Sequence, residues 1–289
     1  MEQQPKKPEI VIFVSNTNGF LVKTSLKGEI LHDFGKIHQY LLNSMQIVNN
    51  SIYTCSNDKV FKQIDLSTNS IVKEHPNLLK EAFQGKPYFK IFAPENLLFA
   101  YDDIGFLKIY SLENLELIED LGRPFNKAIK SITFSTDCAY LLSSFGELME
   151  YNIPQRAFQE NRKVDRGESG NGDYCFDHID SKGSNLIVSD MNGDLSKVKL
   201  GSETCFEKFN QERVSYGRIY KDLETIEQKS NGLLVYKILC TDKYIFTANS
   251  YVDVRQYSVE DGKEGKLLCH FGHITQNPIK SMKSVDNQS

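Results

Sequence analysis

The chain of 289 residues carries 34 Lys and Arg against 38 Asp and Glu, a net charge of −4, with 40% hydrophobic and 25% charged residues. Its length suits one large all-β domain or two ordinary ones, and the scattered, nearly balanced charge argues against a basic nucleic-acid-binding face. No apolar run approaches the roughly 20 residues of a membrane helix, and the polar start MEQQPKKPE lacks the apolar stretch of a secretory signal, so a cytoplasmic protein without membrane insertion is expected.

In chain order, residues 1–8 read as a polar tail and residues 9–289 as a single domain built from a repeat. The unit is two short apolar strands joined by a polar turn and followed by a third strand. Six copies succeed one another: Glu9 to Leu26, Ser51 to Leu66, Asn96 to Leu112, Ala139 to Ile153, Asn185 to Leu200 and Lys243 to Val259. An equivalent position near the end of each second strand is held by Thr24, Ile64, Tyr110, Tyr151, Val198 and Tyr257, at intervals of 40, 46, 41, 47 and 59 residues. Ala128 to Asp137 and Pro278 to Asn287 read as innermost strands with their following turns. Polar residues outrun the repeat in Gln155 to Asp173 and Phe209 to Gly232, two insertions expected to project from the domain. Helical periodicity is confined to Glu212 to Lys229.

The second strands end in Ile64-Asp65, Tyr110-Ser111, Tyr151-Asn152 and Tyr257-Ser258, and two similar turns, FGKIH (Phe34 to His38) and FGHI (Phe271 to Ile274), lead out of a unit. This pattern resembles the WD40 family, in which a strand ends in Trp-Asp and a Gly-His turn leads to the next blade. The chain has no Trp. The resemblance implies an all-β, WD40-like β-propeller with six recognisable four-stranded blades and a scaffold role. It also implies a hydrogen-bonded set of turn Asp, His, Ser or Thr, and Trp in each blade, here without its Trp. The Lys-, Asn-, Gln- and Tyr-rich style is similar to that of ciliate WD40 proteins, so a ciliary or cytoskeletal assembly is one setting the resemblance implies.

The binding face is expected where the polar turns joining the first two strands of each unit meet the connections between blades. Candidate partner-binding residues there are Asn18, Asp58, Asp102, Asp103, Phe145, Asn192 and Tyr251, with Phe145 and Tyr251 as aromatic anchors. Other proteins are the expected partners, with no nucleic acid. No catalytic, cofactor-binding or metal site is expected. Cys269, His270 and His273 have the chemistry of zinc ligands but fall at a blade-joining turn. The GESGNG run within Arg166 to Asp173 completes neither a P-loop nor a nucleophile elbow, and the six cysteines form no CxxC pair. The alternative is a propeller hydrolase or lactonase, which needs acidic, Asn or His side chains from several blades to converge on an axial metal.

In blade order the chain opens on a second strand, Ile10 to Ser15, whereas Ile279 to Ser284 reads as a first strand without a blade. Two readings stay open: the terminal strands pair and close a six-bladed ring, or the chain is a segment of a longer array. Under closure, deleting Asn277 to Ser289 exposes a strand edge and removes Ile279 and Met282, each contributing about 1.5 to 3 kcal/mol when fully buried. Thermal unfolding of that deletion should then show a clear fall in melting temperature; an unchanged melt indicates the longer array.

Overall fold

The computed structural model describes residues 11–15, 18–25, 29–144, 147–159, 162–163, 176–182, 185–190, 195–199, 206–208, 235–240, 244–249, 253–258 and 267–273. They fall into two compact units, one up to Ile129 and one from Lys130 to His273.

The first unit holds three sheets. The first is β1 (Val11–Ser15), β2 (Phe20–Ser25) and β3 (Ile30–Lys36). The second is β4 (Leu42–Val48), β5 (Ser51–Ser56), β6 (Phe61–Asp65) and β7 (Ser70–His75). After a short helix, α1 (Leu78–Ala82), the third is β8 (Pro87–Phe92), β9 (Leu97–Asp102), β10 (Leu107–Ser111) and β11 (Leu117–Asp120). The second unit opens on β12 (Ile129–Ser135), β13 (Cys138–Ser143) and β14 (Glu147–Asn152), whose outer partners are β15 (Ala157–Phe158) and β16 (Arg162–Lys163). Two four-stranded sheets follow: β17 (Phe176–Lys182), β18 (Asn185–Asp190), β19 (Leu195–Lys199) and β20 (Phe206–Lys208), then β21 (Val235–Cys240), β22 (Tyr244–Asn249), β23 (Asp253–Ser258) and β24 (Leu267–His273). Each sheet is an antiparallel meander of consecutive strands, the arrangement that short turns permit.

Each repeat in the sequence is a hairpin here: β1–β2, β5–β6, β9–β10, β13–β14, β18–β19 and β22–β23. The equivalent residues of these hairpins share one cross-strand environment. Thr24, Ile64, Tyr110, Tyr151, Val198 and Tyr257 stand opposite Ile30, Ile71, Leu117, Phe158, Phe206 and Leu267. An apolar residue is therefore the first or second residue of the outermost strand every time, the kind of cross-strand position that holds a sheet together.

Three expectations are corrected. The segment Gln155 to Asp173 does not leave the sheet at once, because β15 and β16 both pair with β14 and Phe158 sets its ring edge-on against Tyr151 at 5.1 Å. The two FG turns are strand: Phe34 to Lys36 belong to β3 and Phe271 to His273 to β24, and of the first motif Ile37 and His38 lie in a connection. Helix α1 is an addition at five residues, too short to show a period; it buries Leu79, and the carbonyls of Phe83 and Gln84 beyond its end accept the Lys59 ammonium at 2.8 and 3.0 Å. Residues 164–173, 209–232 and the terminal strand expected at 279–284 lie outside the described residues.

The middle strands are buried on both faces, as in β9 from Leu98 to Asp102 and β13 from Ala139 to Ser143. Alternation is lost there because sheets within each unit pack on one another. Phe13 and Leu21 of the first sheet join Leu42, Ile52 and Ile64 of the second. Phe61 of the second meets Phe89 of the third edge-on at 5.2 Å, among Cys55, Leu79, Leu98 and Tyr110. In the other unit, Tyr140, Leu142 and Leu148 pack on Ile179, Leu186 and Val188.

A meander leaves the first strand of its sheet with one unpaired edge, and in the third sheet the second sheet covers that edge with side chains. Along β8, alternate residues turn their peptide groups to that edge. The Pro87 carbonyl accepts from Asn43 Nδ2 at 3.0 Å and from Cys55 Sγ at 3.3 Å, and the Phe89 amide donates to Ser44 Oγ at 3.2 Å. Gln46 meets Ile91 as a peptide unit would, Oε1 accepting its N–H at 2.7 Å and Nε2 donating to its carbonyl at 3.1 Å. Side chains also join β12 to β17: Thr133 Oγ1 donates to Asp180 Oδ1 at 3.0 Å, and Ser181 Oγ of the later strand donates to the Phe134 carbonyl of the earlier one.

Truncating Gln46 to Ala deprives a partly buried N–H and C=O of their partners, an omission that costs about 1 to 3 kcal/mol. Urea unfolding of Q46A should show that loss, and a variant as stable as the parent would count against the edge-covering role.

Candidate functional site

In a four-stranded meander the turn between second and third strands lies at the same end as the connections to its first strand and from its last; in the three-stranded first sheet the β1–β2 turn shares its end with the connection from β3. At this end of the second sheet, the buried His38 precedes β4 and Asp58 follows β5. His38 Nδ1 lies 2.9 Å from Asp58 Oδ2, and Nε2 lies 2.9 Å from Thr54 Oγ1 in the middle of β5. Neutral His38 with its proton on Nδ1 satisfies the set: it donates to Asp58 and accepts from Thr54. Asp58 also accepts the amides of Gln39 and Val60, both at 3.0 Å. Burial by itself would raise its pKa, but the His38 bond and the two amides outweigh burial and hold the carboxyl well below the usual carboxylate range.

The third sheet solves the same problem with a different pair. Asp102, at the end of β9, is 0% exposed; Oδ1 accepts the amides of Ile104, Gly105 and Phe106, and Oδ2 accepts that of Gly85 in the connection preceding β8. Asp103 Oδ1 accepts the Lys86 amide at 2.7 Å. Gly105 has φ +108, and a Cβ there would stand 2.4 Å from the Lys127 carbonyl. Gly19, with φ +85, occupies the matching place in the first sheet against the His38 carbonyl. At both positions a side chain would collide with the connection leading to the following sheet.

No protein-family model matches the chain, and no curated protein matches it. Solved structures are similar in their fold. The structure of U3-55K matches with a TM-score of 0.65 at 12% identity, over 92% of this chain and 83% of that one. The RRP9 WD40 repeats match with a TM-score of 0.65 at 12% identity, over 92% and 82%. The fold is WD40-like. The computationally designed Ika8 protein is also similar, with a TM-score of 0.56 at 14% identity, over 98% of this chain and 77% of that one. At such identities the likeness concerns architecture and leaves function to the residues.

The WD40-like hydrogen-bonded set is thus present in the second sheet with three of its four members, His38, Asp58 and Thr54. In outline it is also an Asp–His–hydroxyl relay of the hydrolase kind. Burial decides between the two. Thr54 is 0% exposed, so no substrate carbonyl reaches its oxygen, and the relay fastens the turn to the sheet. Cys55 is equally enclosed; burial pushes its thiol above the ordinary range, away from nucleophilic thiolate. Cys138 is pushed up to about 11 by burial and by Glu150. Among the described residues no three His, Cys, Asp or Glu side chains gather as metal ligands would.

Of the expected partner-binding residues, Asn18 and Asp103 are exposed at this end. Asp58 is nearly enclosed by its own bonds, and Asp102 is sealed, so it supports the turn without offering a surface. Phe145, Asn192 and Tyr251 lie outside the described residues. Sequence reasoning passed over three exposed apolar residues at this end: Tyr40 at 54%, Phe20 at 40% and Ile104 at 37% exposure. Each looked like one more strand or turn residue, and only the sheet register sets them at a common end.

The sign of the Asp58 shift fixes a pH dependence. Its folded pKa lies below the unfolded value of about 3.9, so its stabilisation is complete above about pH 4 and is lost as pH falls through the folded value. D58N should melt lower than the parent at about pH 7, by a difference equivalent to about 1 to 3 kcal/mol, and that difference should shrink toward about pH 3. A gap that is constant with pH in parallel melts would remove the ionised carboxylate from the explanation.

Proposed function

We propose that the chain is a WD40-like platform for protein–protein interaction, and that partners meet it at the end built from the β1–β2, β5–β6 and β9–β10 turns and their neighbouring connections. The observation that carries this reading is the division of side chains there. Asp58 and Asp102 face their own backbone, whereas Tyr40, Phe20 and Ile104 are held toward solvent. Apolar side chains exposed on turns that cannot collapse inward suit interface anchors, because little further ordering is needed on binding. Asn18, beside Phe20, adds a polar contact. The Asp–His–Thr relay supports a binding role over hydrolysis, since its hydroxyl is enclosed. We place this work in the cytosol, with a ciliary or cytoskeletal assembly as the alternative setting.

The test is affinity purification of the full chain with mass spectrometry, run beside an F20A/Y40A double variant shown to melt like the parent. At least one protein captured by the parent should fall about tenfold or more with the variant, as truncation of interface anchors does. Identical captured sets from the two would overturn the assignment of this end.

A further inference from the structure

Within the first unit, the end of the third sheet gathers positive charge around an apolar centre. Ile104 sits at the tip of the β9–β10 turn, and the turn has no freedom to fold it away. Asp102 Oδ1 holds the amides of Ile104, Gly105 and Phe106 at 3.1, 2.9 and 2.9 Å, and Gly105 is wedged against the Lys127 carbonyl. Lys86, Arg123 and Lys127 are all exposed around this tip. The Lys86 backbone is tied to Asp103, the Lys127 backbone lies against Gly105, and the Arg123 guanidinium stands 5.7 Å over the Phe106 ring. Of the two carboxylates in the turn, Asp102 is sealed, and Asp103 has Oδ1 bound to the Lys86 amide. Asp102 is thus turned onto backbone amides, while Lys86, Arg123 and Lys127 are exposed around the tip together with Asp103.

Resting on the platform reading, we infer that this patch binds an acidic, apolar-containing segment of a partner protein. Carboxylates of that segment pair with Lys86, Arg123 and Lys127, and one apolar side chain lies against Ile104. Charge complementarity selects an acidic occupant, and Ile104 selects a protein. A nucleic acid is disfavoured on three grounds: the carboxylate of Asp103 stands within the patch, the Phe106 face is covered by Arg123, and the whole chain is acidic at −4.

A phage-displayed random dodecapeptide library panned against the full chain tests this directly. The expected outcome is enrichment of peptides combining Asp or Glu with a large apolar residue. Synthetic copies should bind about tenfold or more weakly to K86E/R123E/K127E and to I104D, and equally well to K73E, a charge reversal on the distant β7. Melting temperatures confirm that all variants fold. Enrichment without acidic bias, or acidic peptides that bind the triple variant as tightly as the parent, overturns the inference. So does a fluorescein-labelled single-stranded oligonucleotide whose binding to the parent is lost in the triple variant. The platform reading fails separately, when F20A/Y40A captures the same proteins as the parent; partners lost with that variant but kept by K86E/R123E/K127E leave the platform standing and remove the acidic segment.

Discussion

Within the first unit, the fold rests on what happens at the unpaired edge of β8, the first strand of the third sheet. A peptide group left without a partner inside a protein costs about as much as a lost hydrogen bond, and a four-stranded meander creates a whole row of them. In β8 that row is met residue by residue: Pro87 by Asn43 and Cys55, Phe89 by Ser44, Ile91 by Gln46. These donors and acceptors come from β4 and β5, so the third sheet is satisfied only when the second stands beside it. Apolar burial alone tolerates sliding between sheets, since it is non-directional. The Gln46 carboxamide does not, because both of its bonds to Ile91 are lost by a shift of one residue.

A second constraint acts at the turns. The second and third sheets each fix a turn to the connection preceding the sheet, and each uses a buried carboxylate that accepts several amides. In the second sheet, His38 carries the tie, linking Asp58 to Thr54 across the first two strands. In the third, Asp102 reaches the connection itself through the Gly85 amide, and the close approach is possible because Gly85 has no side chain; a Cβ there would stand 2.3 Å from Asp103 Oδ1. One arrangement needs an imidazole and the other a glycine. The two sheets thus fasten equivalent turns with different residues, and in the second sheet the Lys59 ammonium adds bonds to two carbonyls beyond α1.

This difference explains what was legible in the sequence. The six hairpins were, because their two strands are adjacent, of similar length and spaced by a period, and because their equivalent positions share apolar cross-strand partners. Features that depend on distant pairs were not. The His38–Asp58 pair was foreshadowed only by the WD40 resemblance, because residues 20 apart become neighbours through the register of β4, β5 and their turn. Gln46 and Ile91, 45 residues apart, belong to different sheets, and Gln46 reads in isolation as an ordinary polar strand residue. The short strands β15 and β16 were hidden by their polar surroundings, with only Phe158 to mark the place opposite Tyr151. Asp102 was recognised as a turn carboxylate, but composition could not tell that its oxygens point at backbone amides.

The same inward use of acids shapes the surface. A turn pinned by a carboxylate from below keeps its tip residue in a fixed place, so an apolar residue at the tip stays exposed even though burying it would be favourable. Ile104 is in this position, above Asp102 and beside a glycine whose φ of +108 and contact with Lys127 leave little room for rearrangement. Rigidity and exposure thus have one cause. Asp102, the carboxylate that holds the turn, is also removed from its outward electrostatics, where Lys86, Arg123 and Lys127 outnumber the exposed Asp103. A platform assembled this way owes its surface chemistry to its internal hydrogen bonds: changing which residue fastens a turn changes both the charge that the turn shows and the side chain that it holds out.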